Sequence, residues 1–163
     1  MDVLRMRWPA GDAARSVLAM QNDLARTIAE ELSREPVLDA SRVHAAVRND
    51  EITLVGAVRS YAGKCRAETV ARSLPGVNHV ENRLEVRLTI RDYRTDAGLT
   101  HLTNEVLENH VAFTGEPPRA FVENGWVTLR GVVPAEFQRV TAESVIQWLA
   151  GVRGITNEIR VHR

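Results

Sequence analysis

A single cysteine, Cys65, stands in 163 residues. No disulfide can form within the chain, and one thiol fits a reducing compartment, although exported bacterial domains without disulfides are also common. An excess of one charge is missing as well. Twenty-one basic residues face twenty-one acidic ones, so no field of the whole protein concentrates polyanions around it, and no nucleic-acid partner is expected. Long apolar runs are absent. None approaches the roughly 18 residues of a transmembrane helix, so any membrane contact must be peripheral. The stretch Met1 to Pro9 is too poor in apolar residues for a secretory leader, and Val17 to Met20 is a run of only four. A cytoplasmic location is expected from this, or a periplasmic one if the chain is processed.

Catalytic constellations are missing too. The five histidines, His44, His79, His101, His110 and His162, form no His-x-x-x-His pair and have no cysteine at zinc spacing. Cys65 reads as a small, partly buried hydrophobe rather than a reactive thiol. Glu30-Glu31 reads as a solvated helix side. Gly151-Val152-Arg153-Gly154 has the spacing of the nucleic-acid clamp of KH domains. It follows a helix and precedes a strand, however, whereas the KH loop joins two helices. No enzyme activity, cofactor or metal is therefore expected.

What is present is a repeat. With 44% hydrophobic and 26% charged residues the composition is that of a globular protein, and this length holds one ordinary domain or two small ones. Laying Val47–Val86 over Val122–Val161, at a constant offset of 75, gives fourteen identities in forty positions. Ordinary composition would give about three. The identities include Asn49/Asn124, Thr53/Thr128, Leu54/Leu129, Gly56/Gly131, Ala67/Ala142, Glu68/Glu143, Gly76/Gly151 and Asn82/Asn157. Repetition on this scale decides the architecture.

Each copy reads as α-β-β-α-β. In the first, Asn22 or Asp23 is positioned to cap a helix carrying Leu24, Ile28 and Leu32 on one face, closed by Pro36. In the second, Thr95 or Asp96 caps a helix with Leu99, Leu102, Val106 and Leu107, and Gly115, Pro117 and Pro118 break the chain beyond it. Alternating apolar residues then mark two hairpins, turning at Asn49-Asp50 and at Asn124-Gly125. Gly56 and Gly131 imply a bend or a close backbone approach in the second strand. A second helix follows, with Ala67, Val70, Ala71 and Leu74 matched by Ala142, Val145, Ile146 and Leu149. A last strand runs through Val80, Leu84 and Val86, or Ile155, Ile159 and Val161. The expected fold class is α+β: two tandem modules, each a three-stranded mixed sheet with two helices on one face.

The hairpin Val-x-Asn-x-x-Val/Ile-Thr-Leu-x-Gly-x-Val, followed by a helix and then Leu-x-Gly-Val-x-x-Val/Ile-x-Asn-x-Ile/Leu-x-Val, resembles the BON (bacterial OsmY and nodulation) domain. Thr53, Leu54, Gly56, Gly76, Val77 and Asn82 carry the likeness, with Asn124, Gly125, Thr128, Leu129, Gly131, Gly151, Val152 and Asn157. The expected division is a tail at 1–20, one BON-like domain at 21–88 and another at 89–163; the first residues could be a tail, an extra helical turn or an oligomer contact. The resemblance implies a non-catalytic bacterial protein, often duplicated and often exported, linked to osmotic or envelope stress and to phospholipid surfaces. A cytoplasmic branch of the family, joined to a LysM module, resembles a potassium sensor, so small-ligand or cation sensing is the alternative. The family's recurring residues are turn and core positions and imply no catalytic role.

The two copies differ at outward positions. Phe121 and Trp126 are expected as a diagonal pair on the open face of the second sheet, where the first copy has Ala46 and Glu51. Phe137, Thr141, Ser144 and Trp148 form a second line along the last helix, where the first copy has Ala62, Arg66, Thr69 and Ser73. One reading packs these aromatics between the modules or over the core edges. The other makes them, with Arg119 and Arg130 beside them, a surface for a phospholipid membrane or a protein partner, which includes a homo-oligomer.

Overall fold

The computed structural model describes residues 10–48, 51–110, 113 and 115–162. Helix α1 spans Ala10–Ser33, then strands β1 Val43–Arg48 and β2 Glu51–Val58 form a hairpin. Helix α2 Tyr61–Ser73 and strand β3 His79–Val86 complete the first module. The second repeats the order with α3 Asp96–His110, β4 Arg119–Glu123, β5 Trp126–Val133, α4 Glu136–Ile146 and β6 Gly154–Val161. Each sheet has the order first-second-third strand, with an antiparallel pair and then a parallel one. The parallel pairing follows from the connection, because α2 or α4 carries the chain back across the sheet before the third strand. The mixed α+β architecture expected from the pattern is what the chain adopts.

Alternation along the strands sends one side chain in two to the helices. Ile52, Leu54, Val58, Val80, Leu84 and Val86 meet Ile28, Leu32, Ala67, Val70 and Ala71 in the first core. Val127, Leu129, Val133, Ile155 and Ile159 meet Leu99, Leu107, Ala142 and Ile146 in the second. The 75-residue offset also runs back through the first helices. Leu24, Ile28 and Leu32 correspond to Leu99, Thr103 and Leu107, and the buried Thr103 hydroxyl donates to Leu99 O at 2.7 Å.

Helix α1 begins earlier than its expected caps. Asn22 and Asp23 lie inside it, and residues 10–20 are helical. The counterpart of that extension in the second module is the connecting segment after β3, so α1 has 24 residues against 15 in α3. Val17 lies on the same helical face as Leu24 and Ile28, but Val17, Leu18 and Met20 are exposed, so burial in the module does not account for the extension. At α3 the expected cap is present, with Gly98 N–H donating to Thr95 Oγ1 at 3.2 Å.

The two repeated glycines sit where the backbone comes too close for a side chain. A Cβ on Gly56 (φ +126°) would lie 1.9 Å from Arg42 O, and one on Gly131 (φ +156°) would lie 2.9 Å from Pro118 Cα. The expected Asn124-Gly125 turn forms with both residues at positive φ, 52° and 76°, the geometry that matches strand twist. The companion turn at Asn49-Asp50 lies outside the described residues.

Candidate functional site

Polar side chains first lock each module. Asn82 Nδ2 donates to Lys64 O at 2.9 Å and to Glu68 Oε2 at 3.2 Å, while Leu84 N–H donates to Asn82 Oδ1 at 3.2 Å. Asn157 repeats this with Arg139 O at 3.0 Å, Glu143 Oε2 at 3.1 Å and Ile159 N–H at 3.2 Å. Glu68 also pairs with Arg72 at 2.7 Å, the surface pairing its position suggested. The shared Asn and Glu thus pin the third strand to the helix, which is structural work. Asp96 was read as a possible cap, but its carboxylate instead accepts the N–H groups of Asn124 at 2.7 Å and Gly125 at 2.9 Å, holding the second hairpin turn against α3. The first module has Gln21 there.

The open face of the second sheet carries the residues that diverge. Phe121 is 51% exposed and Trp126 is 50% exposed, on the side away from α3 and α4. The strand register sets Phe121 opposite Thr128 and Trp126 opposite Glu123, which makes the two rings diagonal neighbours. They are held differently. The Trp126 indole N–H donates to Thr156 Oγ1 at 2.8 Å, and its six-membered ring lies over Gly154, where a Cβ would come within 2.4 Å. Arg130 stacks over the Phe121 ring, its Cζ 5.6 Å from the centroid, and its Nε donates to Glu158 at 2.7 Å. Such a contact adds about 0.5–1 kcal/mol at an exposed site. Arg119 sits directly across from Arg130 and pairs at 3.4 Å with Glu116. Phe121, Trp126, Thr128 and Arg130 together border an open groove. The same places in the first module hold Ala46, Glu51, Thr53 and Val55.

The remaining predicted residues lie elsewhere. Phe137 is 67% exposed and Trp148 is 60% exposed, both on the outer side of α4, across the module from Phe121 and Trp126. Trp148 stands in the turn after α4 rather than within the helix. The two lines of aromatics, expected on the open sheet face and along the last helix, lie on opposite sides of the module, each ring half exposed or more. Their alternation and helical spacing put them outward because the inward positions were already taken by the repeated core.

A residue that sequence reasoning passed over makes the joint between modules. Tyr61, at the start of α2, packs against both cores, and its hydroxyl meets the backbone of Ile155. Burial pushes the phenol pKa up, with the neighbouring Cys65 adding to the rise. Burial also raises the Cys65 thiol, against the lowering effect of its hydrogen bond with Tyr61. The available signal was the substitution pattern: Tyr61 stands where the second copy has a charged Glu136.

Comparison with known proteins places this arrangement. The family model described as the BON domain matches residues 21–87 and again 95–163. Over 124 residues the chain is 31% identical to osmotically-inducible protein Y of Escherichia coli (strain K12), covering 71% of this chain and 60% of that protein's length. Among solved structures, the C-terminal domain of CdsD, a structural protein of the type III secretion system of Chlamydia trachomatis, aligns with 12% identity and a TM-score of 0.35, covering 87% of this chain and 67% of that one. That likeness is too distant to bear on architecture or role. The two matches to the family model, each spanning one α-β-β-α-β unit, show that the chain belongs to the BON domain family, with two tandem members.

Proposed function

We propose that the chain is a non-catalytic binding protein that docks on anionic phospholipid surfaces through the open sheet face of its second module, in a stress-related role. The carrying observation is the set Arg119, Phe121, Trp126 and Arg130, half or more exposed on one face and replaced in the first module by His44, Ala46, Glu51 and Val55. The Trp126 indole, apolar with one N–H, suits the headgroup boundary, Phe121 adds apolar surface, and arginine meets phosphate oxygens through a planar fork. The ion pairs of Arg119 and Arg130 are solvent-exposed, and such pairs are worth so little that a phosphate can displace the carboxylate. Among the described residues no helix is long and apolar enough to cross a membrane, which fits peripheral docking. The name of the osmotically induced relative supports the link to stress. A cation-sensing role has no comparable support: among the described residues no three His, Cys, Asp or Glu side chains gather as a metal site.

Sedimentation with vesicles of phosphatidylglycerol and phosphatidylcholine tests this. Binding should rise with the phosphatidylglycerol fraction and fall with salt. Trp126→Ala should weaken it about tenfold, the equivalent of about 1.4 kcal/mol, and Arg119→Gln with Arg130→Gln about 30-fold, at about 1 kcal/mol per arginine. An absence of binding at low salt would sink the lipid reading.

A further inference from the structure

The turn end of the second sheet carries a cleft apart from its open face. It measures about 420 Å³, between the segment leading into α3, the Asn124-Gly125 turn and the Gly151–Gly154 loop, and Arg87, Arg94, Thr95, Asp96 and Arg153 line it. Two of the arginines are seated on glycine. Arg153 lays its stem over Gly125, where a Cβ would come within 2.9 Å of its Cγ and Cδ, and its backbone N–H donates to Gly125 O at 2.9 Å. Arg94 lies over Gly151, its Cβ 3.2 Å from the Cβ that this glycine lacks. The two seats adjoin, since the same Cβ on Gly125 would stand 3.0 Å from Gly151 O. Both guanidinium groups thus belong to one cleft, and neither has an ion pair or a hydrogen bond among the described residues. One acid shares the cleft. It is Asp96, whose two oxygens already accept the N–H groups of Asn124 and Gly125. Of the acids close by in the chain, Asp92 accepts the Thr89 hydroxyl, and Glu85 holds Arg87 at 2.9 Å in a pair exposed on both sides, which contributes little.

We infer that this cleft binds a phosphate group with three terminal oxygens, as in a phosphate monoester. Three guanidinium groups against one carboxylate leave the lining a surplus of two positive charges, which matches a group carrying about −1.5 to −2 near pH 7. Oxygen count agrees. A monoester offers a terminal oxygen to each of three forks, whereas a carboxylate or a phosphodiester has only two to share. Thr95 adds a donor, because its Oγ1 accepts the Gly98 N–H at 3.2 Å and keeps its own proton for a ligand. Tyr93, 71% exposed beside it, offers an apolar ring to whatever the phosphate is attached to. The site belongs to the second module alone. Seventy-five residues earlier, Asp12, Ala19 and Asn78 stand in place of Arg87, Arg94 and Arg153, and Asp50 in place of Gly125. Gly76, the counterpart of Gly151, has nothing within 4 Å of its missing Cβ among the described residues. None of Arg119, Phe121, Trp126 and Arg130 lines the cleft, so this site and the sheet face stand independently.

The test titrates inorganic phosphate, then glycerol 3-phosphate, into the full chain at constant ionic strength, followed by amide NMR. Signals of Gly125, Gly151 and Arg153 should shift and saturate with both, and acetate should not reproduce the response. Arg94→Gln and Arg153→Gln should each weaken binding about tenfold, as the loss of a charged hydrogen bond does, with signals remote from the cleft unmoved. Vesicles containing phosphatidic acid form the second arm, because that headgroup is a monoester held on a lipid. A response to the soluble phosphates supports the site with a free ligand; sedimentation with phosphatidic acid that drops in both variants, without that response, supports it with a lipid. Trp126→Ala should leave the phosphate titration unchanged, so the two proposals fail separately. Shifts that never saturate, that acetate reproduces or that survive both substitutions overturn the inference. So does an equal loss in both variants on phosphatidylglycerol, a diester, and on phosphatidic acid, which makes the arginines part of a general basic surface. Silence toward the soluble phosphates, with parent and variants alike on phosphatidic acid, overturns it as well.

Discussion

The first module closes the N-terminus of α2 with Ser60, whose hydroxyl accepts Gly63 N–H at 3.1 Å, while the second presents Ala135 at the same place with no side-chain bond. Three residues further on, Gly63 lies buried, with Leu38 Cδ2 3.4 Å from where a Cβ would sit, and its counterpart Gln138 is buried as well. Against these differences stands the lock of Asn82 and Glu68, reproduced by Asn157 and Glu143 with distances matching to about 0.1 Å. The contrast separates two kinds of requirement. What pins the last strand to the helix is kept, because a half-buried amide that loses its partners costs about 1–3 kcal/mol. What caps a helix or covers an edge varies, because water or another side chain can serve instead.

The two glycines break this comparison most forcefully. Gly56→Ala drives a methyl group to 1.9 Å from Arg42 O, whereas Gly131→Ala brings one to 2.9 Å from Pro118 Cα, also a backbone atom but one that has less far to move. Both also force an alanine to positive φ. We expect losses of about 3–5 kcal/mol for Gly56→Ala and about 1–3 kcal/mol for Gly131→Ala in urea unfolding. Far-UV circular dichroism follows both modules, and fluorescence of Trp126 and Trp148 follows the second. Equal losses would mean that the first hairpin relaxes more easily than its contacts suggest.

Exchanging the caps has a smaller effect and sharpens the comparison instead. Ser60→Ala should lower stability by about 1 kcal/mol, and Ala135→Ser should raise it by less than that, since the Gln138 N–H that a hydroxyl would accept already donates to Ala135 O at 3.1 Å. The check is the shift in urea midpoint with an unchanged slope. A null result at Ala135→Ser would show that the N-terminus of α4 is already satisfied by other means.

Much of this was legible in the chain itself. The repeat, the alternation of Val127 and Leu129, and the Asn124-Gly125 turn are local signals, and the sheet order follows from them with little choice. Position on a strand was enough to place Phe121 and Trp126 outward. The separation of Phe137 and Trp148 from them follows from the expected packing of both helices on one face of the sheet, which leaves the other face open. Tyr61 and Asp96 were harder, because each acts across 28 residues or more, on Ile155 in one case and on Asn124 and Gly125 in the other. No spacing rule reports such contacts. The early start of α1 was legible only as one alternative, an extra helical turn: Asn22 and Asp23 are good caps, and the exposed residues 14–20 give no burial pattern that extends the helix past them.

The smallest expected effect concerns acid. In the first module Arg66 grips Glu35 through two bonds of 2.8 Å, tying α2 to the turn after α1, and the second module has Thr141 at that position. The hydrogen bond from Arg66 holds the Glu35 carboxyl below its ordinary value of 4.5, against the opposing effect of burial. A depressed folded value means that the unfolded chain takes up the proton first. The pair's contribution is therefore present above about pH 4.5 and fades as pH falls through the lower folded value. Arg66→Thr copies the second module at this site and should be less stable than the parent near neutral pH, by a small margin because the arginine is half exposed. The gap should narrow as pH drops below that of an ordinary carboxyl, and narrow again in high salt at neutral pH. Urea midpoints of parent and variant at each condition provide the check. A gap that persists unchanged in acid would assign the role of Arg66 to its aliphatic stem packing on the turn rather than to its charge.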